Sequence, residues 1–270
     1  MKLFRIPLVA LGLLFSISFN GNSTKALANN LPKSAIALQD KYSALSNSTI
    51  IDLKALTTDP KKYKFFTFRP NLEKLILSGD ANSQHISILW YTIPNGSVGL
   101  HYHSMTESVY TISGSQTDAK GVYPTGSLYF NPPESGHKIS NSNGFFVLAY
   151  ASPPDFKNID KIKPYTPVQI NTLDPDLEKN YTFTNPKGGV KVYSIPLAPK
   201  GGMSSQIIKS TSLTSYVYSG NYLLVLKGSC NIDGRNFKKD MLVVAKTIKT
   251  ESYKLSATKD DSCLALGLSF

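Results

Sequence analysis

The chain has 270 residues, of which 41% are apolar and 17% charged, with 15 Tyr, 13 Phe and a formal net charge of +11. That length suits one large or two small cores, and the apolar and aromatic content excludes a disordered or coiled-coil chain in favour of a β-rich globular one. The excess positive charge is nearly all lysine, scattered with no long basic helix; this excludes nucleic-acid readout, where arginine's bidentate fork leads.

The N-terminus reads as an export signal. Lys2 and Arg5 precede an apolar run at 6–19 that is too short to span a bilayer, and Ala26-Leu27-Ala28 supplies a small-x-small cleavage pattern. The expectation is a signal peptide at 1–28 and a mature chain that is exported, periplasmic or secreted. Its loss removes Lys2, Arg5 and Lys25 and no acid, so the formal charge falls to +8. No later segment approaches a transmembrane span.

Residues 29–59 form an N-terminal segment. LPKSAIALQDKYSAL has helical spacing of Ile36, Leu38, Tyr42 and Leu45, and IIDLKAL then turns strand-like. Short apolar alternations follow: KFFTF, KLILS, HISILWYTI, SVYTIS, SLYF and FFVLAYA, broken by Gly, Pro, Asn and Asp. Their close spacing, without a strand-then-helix rhythm, predicts an all-β sandwich or barrel over 60–152. Residues 153–188, rich in Pro, Asp, Asn and Lys, read as a partly packed connection. The strand pattern resumes over 189–270 in VKVYSIPL, SYVYS, NYLLVLKG, CNIDGRNF, MLVVAKT, SYKLSA and CLALGLSF. Two β-units in tandem are the simplest account. Cys230 and Cys263 both lie in strand-like stretches of the second unit, where an exported chain permits either a bridge or two buried thiols.

The chemistry concentrates in GLHYHSMTESVYTISG, residues 99–114, in a chain with only 4 histidines. Side chains two apart on a strand share a face, so His101 and His103 project together while Tyr102 points away. Ser104-Met105-Thr106 can bend the chain so that Glu107 joins them. Further on, Gly126 and Pro132 precede His137, and Asn141 follows it. Three imidazoles and one carboxylate suit a divalent transition ion, and an octahedral one would keep two open positions. His85, alone in SQHISILW, reads as a core histidine.

These residues resemble the cupin superfamily, whose first motif runs G(X)5HXH(X)3,4E(X)6G and whose second runs G(X)5PXG(X)2H(X)3N. His101, His103, Glu107 and Gly114 fit the first, although Gly96 stands one residue closer than the pattern asks. Gly126, Pro132, His137 and Asn141 fit the second, with Glu134 in place of its middle glycine. The stretch GVYPTGSLYFNPPESGHKISNSNGFFVLAY is also similar to the cupins related to the C-terminal domain of the ChrR anti-sigma factor. The resemblance implies tandem cupin jelly-roll barrels, with His101, His103, Glu107 and His137 as ligands of one divalent ion: Fe, Mn, Zn, Ni or Cu. The second unit looks like a cupin that has lost its site, because no histidine follows His137.

Strand parity places Val109 and Thr111 on the face of Glu107, and Tyr129 and Asn131 on a face approaching Pro132; Tyr129 is the candidate catalytic residue, as a hydrogen-bond donor to substrate. No nucleophile elbow, phosphate-cradling loop or Cys/His pair at a catalytic spacing is present. The expected function is therefore a metal-dependent enzyme acting on a small organic molecule by oxygenase-like or isomerase/hydrolase-like chemistry. The alternative is a non-catalytic cupin whose ion orders the barrel or holds a small carboxylate or sugar-like ligand. Expected partners are that small molecule and no nucleic acid, with homodimerisation allowed.

Overall fold

A computed structural model describes residues 45–270; the expected signal peptide and most of the helical spacing ahead of Leu45 lie outside the described residues. Strand β1 (Ser48–Asp52) runs directly into helix α1 (Leu53–Thr58). The strand-like pattern of IIDLKAL thus extends only through IID. The reason is a cap: the Asp52 side chain accepts a hydrogen bond from the amide of Ala55, satisfying an end donor that a strand would need to pair elsewhere. The helix then buries Leu53 and Leu56.

The first β-unit is one antiparallel sheet of eight strands: β2 (Phe66–Arg69), β3 (Leu72–Gly79), β4 (His85–His103), β5 (Glu107–Asp118), β6 (Gly121–Pro124), β7 (Ser127–Asn131), β8 (Ser135–Tyr150) and β9 (Val168–Asn171). Their order is β2-β3-β4-β8-β5-β7-β9, with β6 paired to β5. Leu72, Leu89, Val109, Tyr123, Tyr129 and Phe146, each from a different strand, meet in one buried cluster, so the sheet wraps around its own inner face. Strand β9, from the stretch read as a connection, closes this unit against β7.

After α2 (Leu177–Asn180), the second unit contains β10 (Thr184–Lys187), β11 (Val190–Ser194), β12 (Ser204–Ser210), β13 (Tyr216–Gly220), β14 (Tyr222–Ile232), β15 (Arg235–Lys238), β16 (Met241–Ala245), β17 (Glu251–Ala257) and β18 (Cys263–Ser269). Strand β1 joins this sheet rather than the nearer one, pairing with β16 from Ser48↔Ala245 to Asp52↔Met241. Strand β12, SSQIIKS, has only an Ile pair flanked by polar residues, too weak an alternation to stand out in the sequence. The inner face holds Val192, Ile208, Val225, Phe237 and Leu255 together with a disulfide between Cys230 and Cys263.

The outer faces of the two sheets share a third cluster. Ile86, Ile88, Val147 and Phe130 of the first meet Ile207, Leu224, Val244 and Leu266 of the second. Burying one such side chain contributes about 1.5–3 kcal/mol, and the strands that supply this seam also supply the inner faces. Leu148 faces inward and Val147 outward, for example. Among the described residues no helix is long and apolar enough to cross a membrane.

Candidate metal centre

One strand end and two strand starts converge on the site. His101 and His103 lie at the end of β4, and His101 pairs directly with His137 of β8. Glu107 opens β5 after the Ser104–Thr106 turn, which is tied down by hydrogen bonds from Thr106 to Gly201 and from Ala151 to Thr106. One ligand atom from each of these four residues lies within 4.8 Å of all the others, and all four side chains are buried. The Glu107 carboxylate is 3.3 Å from Nε2 of both His103 and His137. The three imidazole rings lie 4.7–5.2 Å apart, centre to centre.

Outer contacts aim the rings. Nδ1 of His101 lies 2.8 Å from the Gly99 carbonyl, and Nδ1 of His137 lies 2.8 Å from the Asp118 carboxylate. In both cases Nδ1 donates, which turns Nε2 toward the centre, the arrangement that orients a histidine ligand and raises its basicity once a metal displaces any proton there. Asn131 donates to Oε2 of Glu107 at 2.8 Å, fixing the carboxylate. Asp118 is itself held by the hydroxyl of Tyr123 and the amides of Lys120 and Gly121.

The residues present fit a divalent cation. Both ring nitrogens of His103 are buried with no hydrogen-bond partner, a costly state that coordination through one of them would relieve. Burial pushes His101 down to about 4, helped by His137 beside it, and pushes His103 down to about 3, so both remain neutral ligands. Burial also acts to lower His137, but Asp118 and Glu107 on either side hold it up at about 9. For Glu107, burial favours the neutral acid, yet the adjacent His103 and the hydrogen bond from His137 keep its carboxyl well below the usual range. Two buried carboxylates among three imidazoles call for positive charge; in the metal-free protein a proton on His137 supplies it, and an ion would replace that proton.

The four ligand residues expected from the sequence are brought together here. Tyr129 is fully buried in the same inner cluster, stacked on Tyr123 with ring centres 3.9 Å apart, and its hydroxyl has no partner. It does not line the cavity beside the ligands, whose walls are Phe68, Tyr91, Val98, Leu148, Tyr150 and Phe156. His85 stays outside the cluster, with Nδ1 bonded to the Ser83 carbonyl at 2.8 Å. Sequence reasoning missed Asp118. Parity from Glu107 through Val109 and Thr111 would turn it outward, but a register shift between Thr111 and Ser113 flips the alternation and brings Gln116 and Asp118 inside. Its only signal was an acid on a β-rich strand beside Gly121. Glu134, standing where the second motif has glycine, takes φ +63 and so preserves the left-handed corner ahead of His137.

Residues 53–152 match the family model of the ChrR cupin-like domain. These residues are a cupin domain. The fold around it resembles solved structures of similar extent. One is a proposed dioxygenase from Nostoc punctiforme, 10% identical over 83% of this chain and 82% of that one, with a TM-score of 0.53. Another is the protein Ylba from E. coli, 14% identical over 83% of this chain and 91% of that one, with a TM-score of 0.50. At those identities the likeness concerns the fold alone. No curated protein sequence matches the chain. The cupin domain thus accounts for the inner face that carries the four ligands, and the likeness in fold to these two structures covers 83% of the chain.

Proposed function

We propose that the chain is an exported bicupin whose first unit is a divalent-metal-dependent enzyme acting on a small organic molecule. The observation that carries this reading is the convergence of three imidazoles and one carboxylate, all buried, with His101, His137 and Glu107 braced by Gly99, Asp118 and Asn131. When bound, a divalent ion supplies a Lewis acid for polarising an oxygen of the substrate or activating water, and a redox-active one adds oxygenase chemistry. The chain's own groups do the rest. Phe68, Phe156 and Tyr150 exclude bulk water from the centre, Asn131 keeps Glu107 oriented, and Asp118 holds the proton of His137 at Nδ1 so that Nε2 stays a ligand. Tyr129, the donor expected from the sequence, keeps an unpaired hydroxyl in the same inner cluster but does not line the cavity, so no contact with substrate is assigned to it. Export is supported by the N-terminal signal pattern and by the disulfide, which suits an oxidising compartment.

A second reading is favoured by the size of the cavity. It measures about 20 Å³, space for one or two water molecules and no more. In that reading the ion orders the barrel and turns nothing over. Metal analysis by mass spectrometry on the mature protein, purified without chelators, separates the two when combined with an oxygen-uptake and hydrolysis screen of small substrates. Stoichiometric iron, manganese, nickel or copper together with turnover supports the enzyme; tightly held zinc with no turnover supports the structural ion. Protein without metal that also fails to take up any of these ions would overturn both.

A further inference from the structure

The second unit carries a groove far larger than the space beside the metal ligands. It measures about 660 Å³, within the range of about 300–1,000 Å³ typical of small-molecule sites, and opens to solvent where the β10–β11 hairpin meets β12. Lys187, Lys191 and Lys209 line it together with Thr211, and its lining residues include no acid and no arginine.

Strand geometry explains why these charges gather and why gathering them is costly. Val190, Val192 and Ile208 face the inner cluster, so alternation turns Lys191 of β11 and Lys209 of β12 outward. Register then sets Lys191 directly opposite Lys209, a like-charge pair that weakens a sheet unless something answers it. One carboxylate answers both: Glu178 of α2 reaches Lys191 at 2.8 Å and also pairs with Lys209. Lys187 adds a third ammonium, which donates to the Ser215 carbonyl at 3.3 Å. Three cations against one anion leave a surplus of two positive charges around one groove. The Gly188-Gly189 turn joining β10 to β11 keeps the space clear, since a Cβ at Gly188 would meet nothing within 4 Å. Its carbonyls, which would repel an anion, are occupied: Gly188 accepts from the Ser212 hydroxyl at 3.2 Å, and Gly189 accepts from the Thr211 amide at 2.8 Å.

We propose that this groove binds the phosphate end of a phosphomonoester, with the dianion held by Lys187, Lys191 and Lys209 and the organic part lying along the remaining volume. Lysine binds phosphate as a point charge, and three such charges around one position suit a tetrahedral dianion. A planar carboxylate is better served by the arginine fork that this groove lacks. The bound phosphate relieves the Lys191–Lys209 repulsion that Glu178 alone offsets in its absence. The site belongs to the outer face of the second unit and does not depend on the metal centre of the first.

The test is calorimetric titration of the mature chain at about pH 8, where a phosphomonoester is a dianion, with ionic strength held constant. Glycerol phosphate is the soluble probe, and malonate, a dicarboxylate of the same charge, is its control. Co-sedimentation with phosphatidylcholine vesicles, with and without phosphatidic acid, probes a lipid-borne phosphate. Saturable binding of glycerol phosphate, or of the vesicles only when they contain phosphatidic acid, is expected; binding of the vesicles alone assigns the phosphate to a lipid headgroup, and binding of glycerol phosphate assigns it to a soluble ligand. Malonate should bind about fivefold more weakly or worse than glycerol phosphate. Lys187→Gln, Lys191→Gln and Lys209→Gln should each weaken phosphate binding about fivefold at unchanged melting temperature, and Glu178→Gln should strengthen it by about as much. Lys61→Gln removes the same charge from an exposed position outside the groove and should change affinity by less than about twofold. The proposal is overturned if neither phosphate probe binds, if malonate binds as tightly as glycerol phosphate, or if Lys61→Gln costs as much as the three groove substitutions.

Discussion

The two β-units enclose opposite kinds of interior. The first packs His101, His103, Glu107, Asp118, His137 and Lys74 among its aromatic residues, all of them buried. The second packs aliphatic side chains, Tyr218 and Tyr253 around a disulfide, and no titratable cluster of metal-ligating residues occurs there among the described residues. One inner face spends stability on polar groups that need an ion or each other; the other gains stability from apolar packing and a covalent link. The lesson is that a wrapped sheet with a packed outer seam does not depend on its inner face for its architecture, so one copy of the fold can carry chemistry while the other serves as its foundation.

The comparison can be broken most sharply at the ligands. His101→Ala should lower metal affinity by more than about 100-fold, exceeding the 10–100-fold typical of losing an outer contact, and should abolish the metal-induced rise in melting temperature. Elemental analysis and calorimetry with and without added metal check both; unchanged stoichiometry would show that the four residues do not form the site. Next comes the covalent link of the second interior. Replacing Cys230 and Cys263 together by Ala opens a connection of sequence separation 33 and should cost about 2–4 kcal/mol of unfolding free energy. Metal content should stay unchanged, and denaturant titration of native and variant proteins measures the loss. If this variant also loses metal, the two interiors are coupled through the shared seam more tightly than their separate cores imply.

Asp118→Asn is expected to weaken metal binding by about 10–100-fold while leaving a saturable site, because His137 keeps its ring but loses the carboxylate that orients it. Competition against a chelator of known affinity reads this directly, and no change would demote Asp118 to a packing residue. The smallest effect belongs to Glu134→Gly. Relief of the left-handed strain at φ +63, less the loss of an exposed ion pair to Lys163, should raise stability by up to about 1 kcal/mol without altering metal affinity. A fall in stability would mean that the Lys163 contact anchors the corner.

Much of this molecule was legible in its residues. Period-two alternation marked most strands, and the two-residue spacing of His101 and His103 put both on one face because strand geometry permits nothing else. The lack of any histidine after His137 likewise determined that the second unit could not repeat the three-histidine centre. Tertiary structure decided the rest. Asp118 reaches His137 only because a register shift reverses strand parity, and β1 joins a sheet whose partner strand lies almost 200 residues later. Cys230 and Cys263 meet on neighbouring strands of one inner face, and Arg69 and Lys74 meet the same aromatic wall from β2 and β3. Local sequence sets which way a side chain faces relative to its neighbours. Which strands pair, and where a bulge resets that alternation, is set by burial summed over the whole sheet, so the partners of a lone charge or thiol emerge only when the sheet closes.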